Sequence, residues 1–168
     1  PTNLAHADVS RVEIELNWLP TENMEVQLGA GFLDTKNNDP GANFDGPFGD
    51  SPRYLPNSPE MNLNAAIRYE IPLSSGARLR LFTDYVWQDD HYKEIVNNLP
   101  VSAQSLWNAR MTLVAPDESW SVSLWGKNLA DEVFVIDTLT DPLISGWGVY
   151  VNGLPRTYGL SFQFNWGQ

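Results

Sequence analysis

Cysteine is absent from the sequence. Without a thiol there is no disulfide, no thiolate metal site and no cysteine nucleophile. Histidine is scarce, with only His6 and His91, and neither stands in a recognisable catalytic spacing with a serine or an acid. A hydrolase would need one of them as its base, so the expectation is a protein that is not an enzyme and carries no cofactor. Basic side chains are also few, 10 against 21 acidic ones, for a formal charge of −11. Phosphate backbones are bound by basic surfaces, which argues against nucleic acid as a partner. No apolar run approaches the roughly 20 residues of a membrane-spanning helix. Pro1 to Ala7 lack the basic-then-apolar order of a signal peptide, so the chain is expected to be a mature form or part of something longer. Helical membrane proteins are thus excluded, but a spanning β-barrel, whose strands need only about 9–11 alternating residues, is not.

What the sequence does contain is alternation with a period of two. Val12, Ile14, Leu16 and Trp18 alternate with Arg11, Glu13, Glu15 and Asn17. After a turn at Pro20-Thr21-Glu22-Asn23, the apolar set continues with Met24, Val26, Leu28, Ala30 and Phe32. It returns as Met61 to Ile71, then as Leu79, Leu81, Thr83, Tyr85 and Trp87, and then as Trp107, Ala109, Met111 and Leu113. Trp120, Val122 and Leu124 begin a sixth segment. The seventh is the clearest, with Tyr158, Leu160, Phe162, Phe164 and Trp166 set against Thr157, Gly159, Ser161, Gln163 and Asn165.

Short connections at Pro20–Asn23, Pro72–Gly76 and Ala115–Ser119 alternate with long ones. The long ones run from Asp34 to Pro59, from Asp89 to Ser102 and from Asp131 to Pro155, and are marked by Pro, Gly, Asn and Asp. Tight turns on one side and long loops on the other are the habit of antiparallel up-and-down transmembrane β-barrels, with the turns periplasmic and the loops outside. Seven strands do not close such a barrel, since bacterial single-chain barrels have even strand numbers from about 8 upward. The all-β sequence is therefore expected to be part of a larger barrel that continues before Pro1.

Alternation alone leaves a soluble β-sandwich open, with the apolar face as core and Trp and Tyr stacking on sugars in a carbohydrate-binding module. The aromatics favour the membrane. Trp18, Tyr69, Trp120 and Trp166 fall near the proposed periplasmic strand ends, and Phe32, Trp87, Trp107 and Tyr158 near the outer ends, with aliphatics between. Two aromatic belts around an aliphatic band match the girdles of a membrane barrel, because such rings sit at the headgroup level. Ile14, Leu28, Ile67, Leu81, Met111, Val122 and Leu160 are then expected to face lipid.

Two stretches, LWGKNLADEVF from Leu124 to Phe134 and PRTYGLSFQFNW from Pro155 to Trp166, resemble the final two strands of TonB-dependent receptors. The segment LPNSP, Leu55 to Pro59, is similar to that family as well. The sequence departs from the family pattern by placing Gly167-Gln168 after the last aromatic. The resemblance implies a barrel of roughly 22 strands with a plugged lumen in the bacterial outer membrane. It also implies active import of a scarce bulky ligand, such as an iron–siderophore complex, cobalamin or an oligosaccharide. The implied partners are outer-membrane lipid, the barrel-assembly machinery, a small-molecule or metal-chelate ligand, and TonB, contacted through a plug domain that is not in this sequence. A passive porin-like barrel is the alternative within the same fold.

The candidate ligand-binding residues lie in the outer loops: Arg53, Tyr54, His91, Tyr92, Trp147 and Tyr150. Loop aromatics offer large contact area, although they could equally pack loop on loop. Charges on the polar face, among them Arg11, Glu13, Glu15, Glu25, Arg68, Glu70, Arg78, Arg80, Asp84 and Arg110, read as cross-strand pairs solvating a lumen. Asp34, Asp39, Asp45 and Asp50 offer oxygen ligands, but their spacing is not that of a calcium-binding loop, and they read as a solvated acidic segment. Lys127-Asn128 reads as a turn device at a strand end.

Overall fold

The computed structural model describes residues 7–37, 54–94, 99–140 and 147–166. Among these residues there is no helix. Seven long strands form one antiparallel sheet: β1 (Ala7–Thr21), β2 (Met24–Asn37), β3 (Met61–Pro72), β4 (Arg78–Gln88), β7 (Gln104–Val114), β8 (Trp120–Lys127) and β11 (Thr157–Phe164). Two hairpins stand apart from it, β5 (His91–Tyr92) with β6 (Pro100–Val101), and β9 (Val135–Thr140) with β10 (Gly148–Asn152). The long strands pair in sequence order, as an up-and-down meander requires.

Register decides which side chains share a face. Leu16 pairs with Leu28, and Leu28 with Ala65. Ala65 pairs with Tyr85, and Tyr85 with Trp107. At the far end Met111 pairs with Leu124 and Leu124 with Leu160. The apolar sets of all seven strands thus fall on a single face. That face is not covered by a second layer: Ile14 is 58% exposed and Leu160 72%. Among the described residues the buried hydrophobic core is no more than Val101, Val114 and Ala115. A sandwich would have hidden this face in its interior. Here it is laid open.

The rows of paired residues are not level with the strand ends. One row runs Trp18–Val26–Ile67–Thr83–Ala109–Gly126–Tyr158. It starts beside the tight turn that ends β1 and finishes at the loop end of β11. Such stagger means the strands lean relative to the line across the sheet, the shear and tilt from which barrels are built.

Each tight turn has a local cause. Glu22 and Asn23 alone separate the Thr21–Met24 pair, and a register shift lies between Trp18 and Thr21. Gly76 takes a φ of 82° and donates its N–H to the Leu73 carbonyl at 2.9 Å, a left-handed position that glycine fills without strain. Asp117 accepts from the Ser119 N–H and hydroxyl at 3.2 and 2.7 Å, which closes the turn before β8.

Three sequence boundaries move. β2 runs on to Asn37, with Asp34 opposite Ser10 and Lys36 opposite Asp8, so the hairpin continues past its last apolar residue. The backbone ladder needs no apolar side chain to propagate, which is why the polar end looked like loop. The second and third long connections carry hairpins of their own instead of being loop throughout. The last strand ends at Phe164, and Trp166 lies beyond it, edge-on to Phe164 at 5.4 Å.

Candidate functional site

The polar face of the sheet is a wall of paired charges. Arg68 meets Glu25 at 2.8 Å across β2 and β3, and Arg80 meets Glu70 at 2.6 Å across β3 and β4. Arg78 bonds Glu118 of the next turn and stands 3.7 Å from Glu70. Arg11 pairs with Glu13 on the same strand. Asn108 donates to Asp84 at 2.7 Å. Exposed pairs of this kind contribute at most about 1 kcal/mol each; their main effect is to leave the wall polar but nearly neutral. Arg110 has no carboxylate partner among the described residues. It lies in the row between Phe82 and Trp125. Trp125 covers Gly159 and donates its indole N–H to Ser161 at 3.0 Å.

The described parts of the three outer connections touch one another. Tyr54 stacks on Tyr92 with ring centroids 5.6 Å apart, and the Asn57 N–H donates to the Tyr92 carbonyl at 2.7 Å. The Tyr150 hydroxyl donates to the Pro100 carbonyl at 3.1 Å. The Gln104 side chain accepts from the Val135 N–H at 3.0 Å. Segments far apart in sequence are thereby held together by a few aromatic and backbone contacts, without a large apolar core among the described residues.

The predicted loop residues separate into two groups. Tyr54 is 46% exposed, Trp147 51% and Tyr150 42%; together with half-buried Tyr92 they can offer ring surface to a ligand. His91 cannot, because it is only 5% exposed. Its Nδ1 lies 3.1 Å from the Asp89 carbonyl, and its Nε2 has no hydrogen-bond partner. Burial pushes its pKa below the ordinary value, the Asp89 contact opposes that shift, Lys93 adds to it and Asp90 counters it. His91 was a candidate because it lies in an outer connection; in the structure it pairs with Val101 in the small hairpin and is buried. Arg53, and the acidic residues Asp39, Asp45 and Asp50, lie outside the described residues. Of the proposed girdle, Trp18, Phe32, Trp107 and Tyr158 are exposed on the apolar face, and Trp87 and Trp120 are half-buried on it.

The GKNLADE stretch is a structural clamp. Asn128, 3% exposed and at a φ of 51°, donates to the carbonyls of Glu132 at 2.8 Å and Leu154 at 3.3 Å, and accepts from the Glu132 N–H at 2.9 Å. Its own N–H donates to Asn108 at 3.0 Å. Asp131 accepts from the Arg156 N–H at 2.9 Å, and the Arg156 guanidinium returns to the Leu129 carbonyl at 3.3 Å. The end of β8, the loop after it, the approach to β11 and the neighbouring β7 are fastened at one point.

No family model and no curated protein matches this sequence. Solved structures do match its fold. The chain is similar to the ferric yersiniabactin uptake receptor FyuA from Yersinia pestis, with a TM-score of 0.81 at 15% identity over 94% of this chain and 23% of that one. It is also similar to BauA, the ferric preacinetobactin receptor from Acinetobacter baumannii, with a TM-score of 0.67 at 17% identity over 93% of this chain and 22% of BauA. The siderophore receptor PiuA from Acinetobacter baumannii matches with a TM-score of 0.69 at 17% identity, over 94% of this chain and 22% of PiuA. The chain spans less than a quarter of the length of these receptors. The fold is that of a segment of their barrels.

Proposed function

We propose that this chain forms part of the wall of an outer-membrane receptor that imports a ferric siderophore with energy delivered through TonB. The observation that carries the reading is the open apolar face. Seven strands present a mostly aliphatic and aromatic, charge-free surface on one side and mostly paired charge on the other, with almost no buried core among the described residues. In water such a face would be an aggregation surface; against lipid it is the stabilising one, and a polar lumen is its natural opposite. The siderophore receptors that share the fold support the ligand class. Trp18, Phe32, Trp87, Trp107, Trp120, Tyr158 and Trp166 would form the interfacial girdles. Tyr54, Tyr92, Trp147 and Tyr150 would supply ligand contacts, since rigid aromatics give large contact area at little cost in side-chain entropy. Insertion would depend on the barrel-assembly machinery, and transport on a plug that contacts TonB.

The test uses the full-length protein that contains this chain. The outer connections at 38–59 and 131–155 are shortened separately, and binding and energised uptake of radioactive iron chelates, cobalamin and oligosaccharides are measured. Loss of chelate binding with the barrel still inserted supports the reading. Wild-type binding and uptake after both truncations would remove the loops from ligand capture. Flux by passive diffusion alone would replace the transporter with a porin-like barrel.

A further inference from the structure

The hairpin of β5 and β6 joins the outer connections to one another. On one side Tyr92 stacks on Tyr54, and its carbonyl accepts the Asn57 N–H at 2.7 Å. On the other, the Pro100 carbonyl accepts the Tyr150 hydroxyl at 3.1 Å. The Leu99 side chain lies so close over Gly148 that a Cβ there would meet it at 2.6 Å. The ladder of the hairpin is only Tyr92 with Pro100 and His91 with Val101. So short a hairpin is marginal by itself. What holds it is the burial of its inner pair, for Val101 is 1% exposed and His91 5%.

His91 is buried in a way that tolerates one protonation state. A carbonyl only accepts, so the contact with the Asp89 carbonyl puts the ring proton on Nδ1. Nε2 is then a bare lone pair, cut off from solvent and without a hydrogen-bond partner. A second proton would place a charged donor where nothing accepts it, which is costly in a buried site. The facing residues of β6, Pro100 and Val101, carry no charge. Of the charges beside the ring, Asp90 favours protonation and Lys93 opposes it, and Glu94 is engaged with the Leu99 N–H at 2.8 Å. Because Nε2 is already sealed within this chain, a further strand or loop of a larger barrel cannot reach it with an acceptor. β4 and β7, which frame this connection, are paired on both sides.

We propose that His91 makes the β5–β6 hairpin an acid-sensitive latch: neutral His91 holds the three outer connections together, and its protonation releases them. A free imidazole titrates near 6.5 and the buried one lower, so the latch is at full strength above 6.5 and weakens as pH falls below it. Opening separates Tyr54 from Tyr92, so acid changes the aromatic surface that the outer connections present. The latch goes beyond the transport reading and does not depend on which ligand is carried.

The experiment uses the full-length protein in detergent micelles. Amide hydrogen exchange is measured by mass spectrometry at about pH 7.5 and about pH 5.5, and each rate is divided by the intrinsic rate at that pH. Peptides containing Asn57, Val101 and Val149 report the three connections, and those of β4 and β7 are the internal reference. In the wild-type protein the normalised rate should rise in all three connections together on acidification. The rise should be up to about tenfold, the linkage limit for one histidine over this interval, with β4 and β7 unchanged. The side chains introduced by His91→Gln and His91→Phe are neutral at both pH values, and each substitution should abolish the rise. Heat-modifiable mobility confirms that each variant is folded, and either one suffices for the comparison. No rise in the wild-type protein, an undiminished rise in the folded His91 variants, or a rise confined to the β5–β6 hairpin overturns the latch. An equal rise in β4 and β7 overturns it too, since that is general destabilisation by acid.

Discussion

Replacing Leu28 by arginine separates a lipid-facing surface from a water-facing one. Leu28 lies midway along the apolar run of β2, four residues from Met24 on the turn side and four from Phe32 on the loop side. A strand rises about 3.4 Å per residue, and a barrel strand leans by about 45°, so each residue advances roughly 2.4 Å along the membrane normal. Four residues then span roughly 10 Å, which puts Leu28 close to the centre of an apolar band about 25 Å tall. Its side chain is 45% exposed and flanked in register by Leu16 and Ala65, so no carboxylate is at hand to pair with an introduced guanidinium. Arginine at the midplane of a barrel's lipid face costs about 2–4 kcal/mol, whereas a substitution at an ordinary water-exposed site stays within about 0.5 kcal/mol. The assay is reversible folding of the full-length protein into phospholipid vesicles, followed by denaturant titration. Gln27→Arg is the internal control. It lies at nearly the same depth on the opposite face, beside Glu25, which already accepts from Gln27 at 2.8 Å, and it should change stability by less than about 1 kcal/mol. Equal and small effects at 27 and 28 would refute the assignment of the apolar face to lipid.

Asn128→Ala removes a buried side chain that bonds three backbone groups; a loss of about 2–4 kcal/mol is expected from the stranded partners, with faster hydrogen exchange at the N–H groups of Glu132 and Arg156 as the local readout. The Arg78 hydrogen bond and charge hold Glu118 below the usual carboxylate pKa, and the Ser119 bonds do the same for Asp117. These contacts are fully present above the ordinary carboxylate range and lost as pH falls through the depressed values, so exchange in the turn after Val114 should rise only in strong acid, and Glu118→Gln should abolish the part of that dependence that comes from the Arg78 contact. Burial lowers the His91 pKa from 6.5, so packing of the β5–β6 hairpin is fully present above that value and weakens as pH falls below it. Proton exchange around Val101 should accelerate on mild acidification in the wild-type protein and not in His91→Phe. Tyr92→Ala should loosen the segment around Tyr54, seen as increased protease cleavage there, while leaving the heat-modifiable barrel intact.

The period-two alternation, read along the chain, was enough to locate all seven long strands, the three tight turns and the apolar residues of each face. The reason is physical: successive side chains of a strand point to opposite sides, so the sorting of Leu16, Leu28 and Leu160 from Glu15, Gln27 and Gln163 is written residue by residue. The clamp at Asn128 was visible as a turn signal, though not its partners. Several features depended on which strands lie side by side. The stagger that carries one row from Trp18 to Tyr158 is a property of register, which no single strand encodes. The matching of Arg68 to Glu25 and of Arg80 to Glu70, and the lack of a carboxylate partner for Arg110 among the described residues, follow from the same register. The burial of His91 was not legible in the sequence, because burial in a connection comes from contacts made across the chain. Alternation determined the two faces; tertiary pairing decided which residues meet on them, since backbone hydrogen bonds fix register between segments whose separation along the chain carries no signal of it.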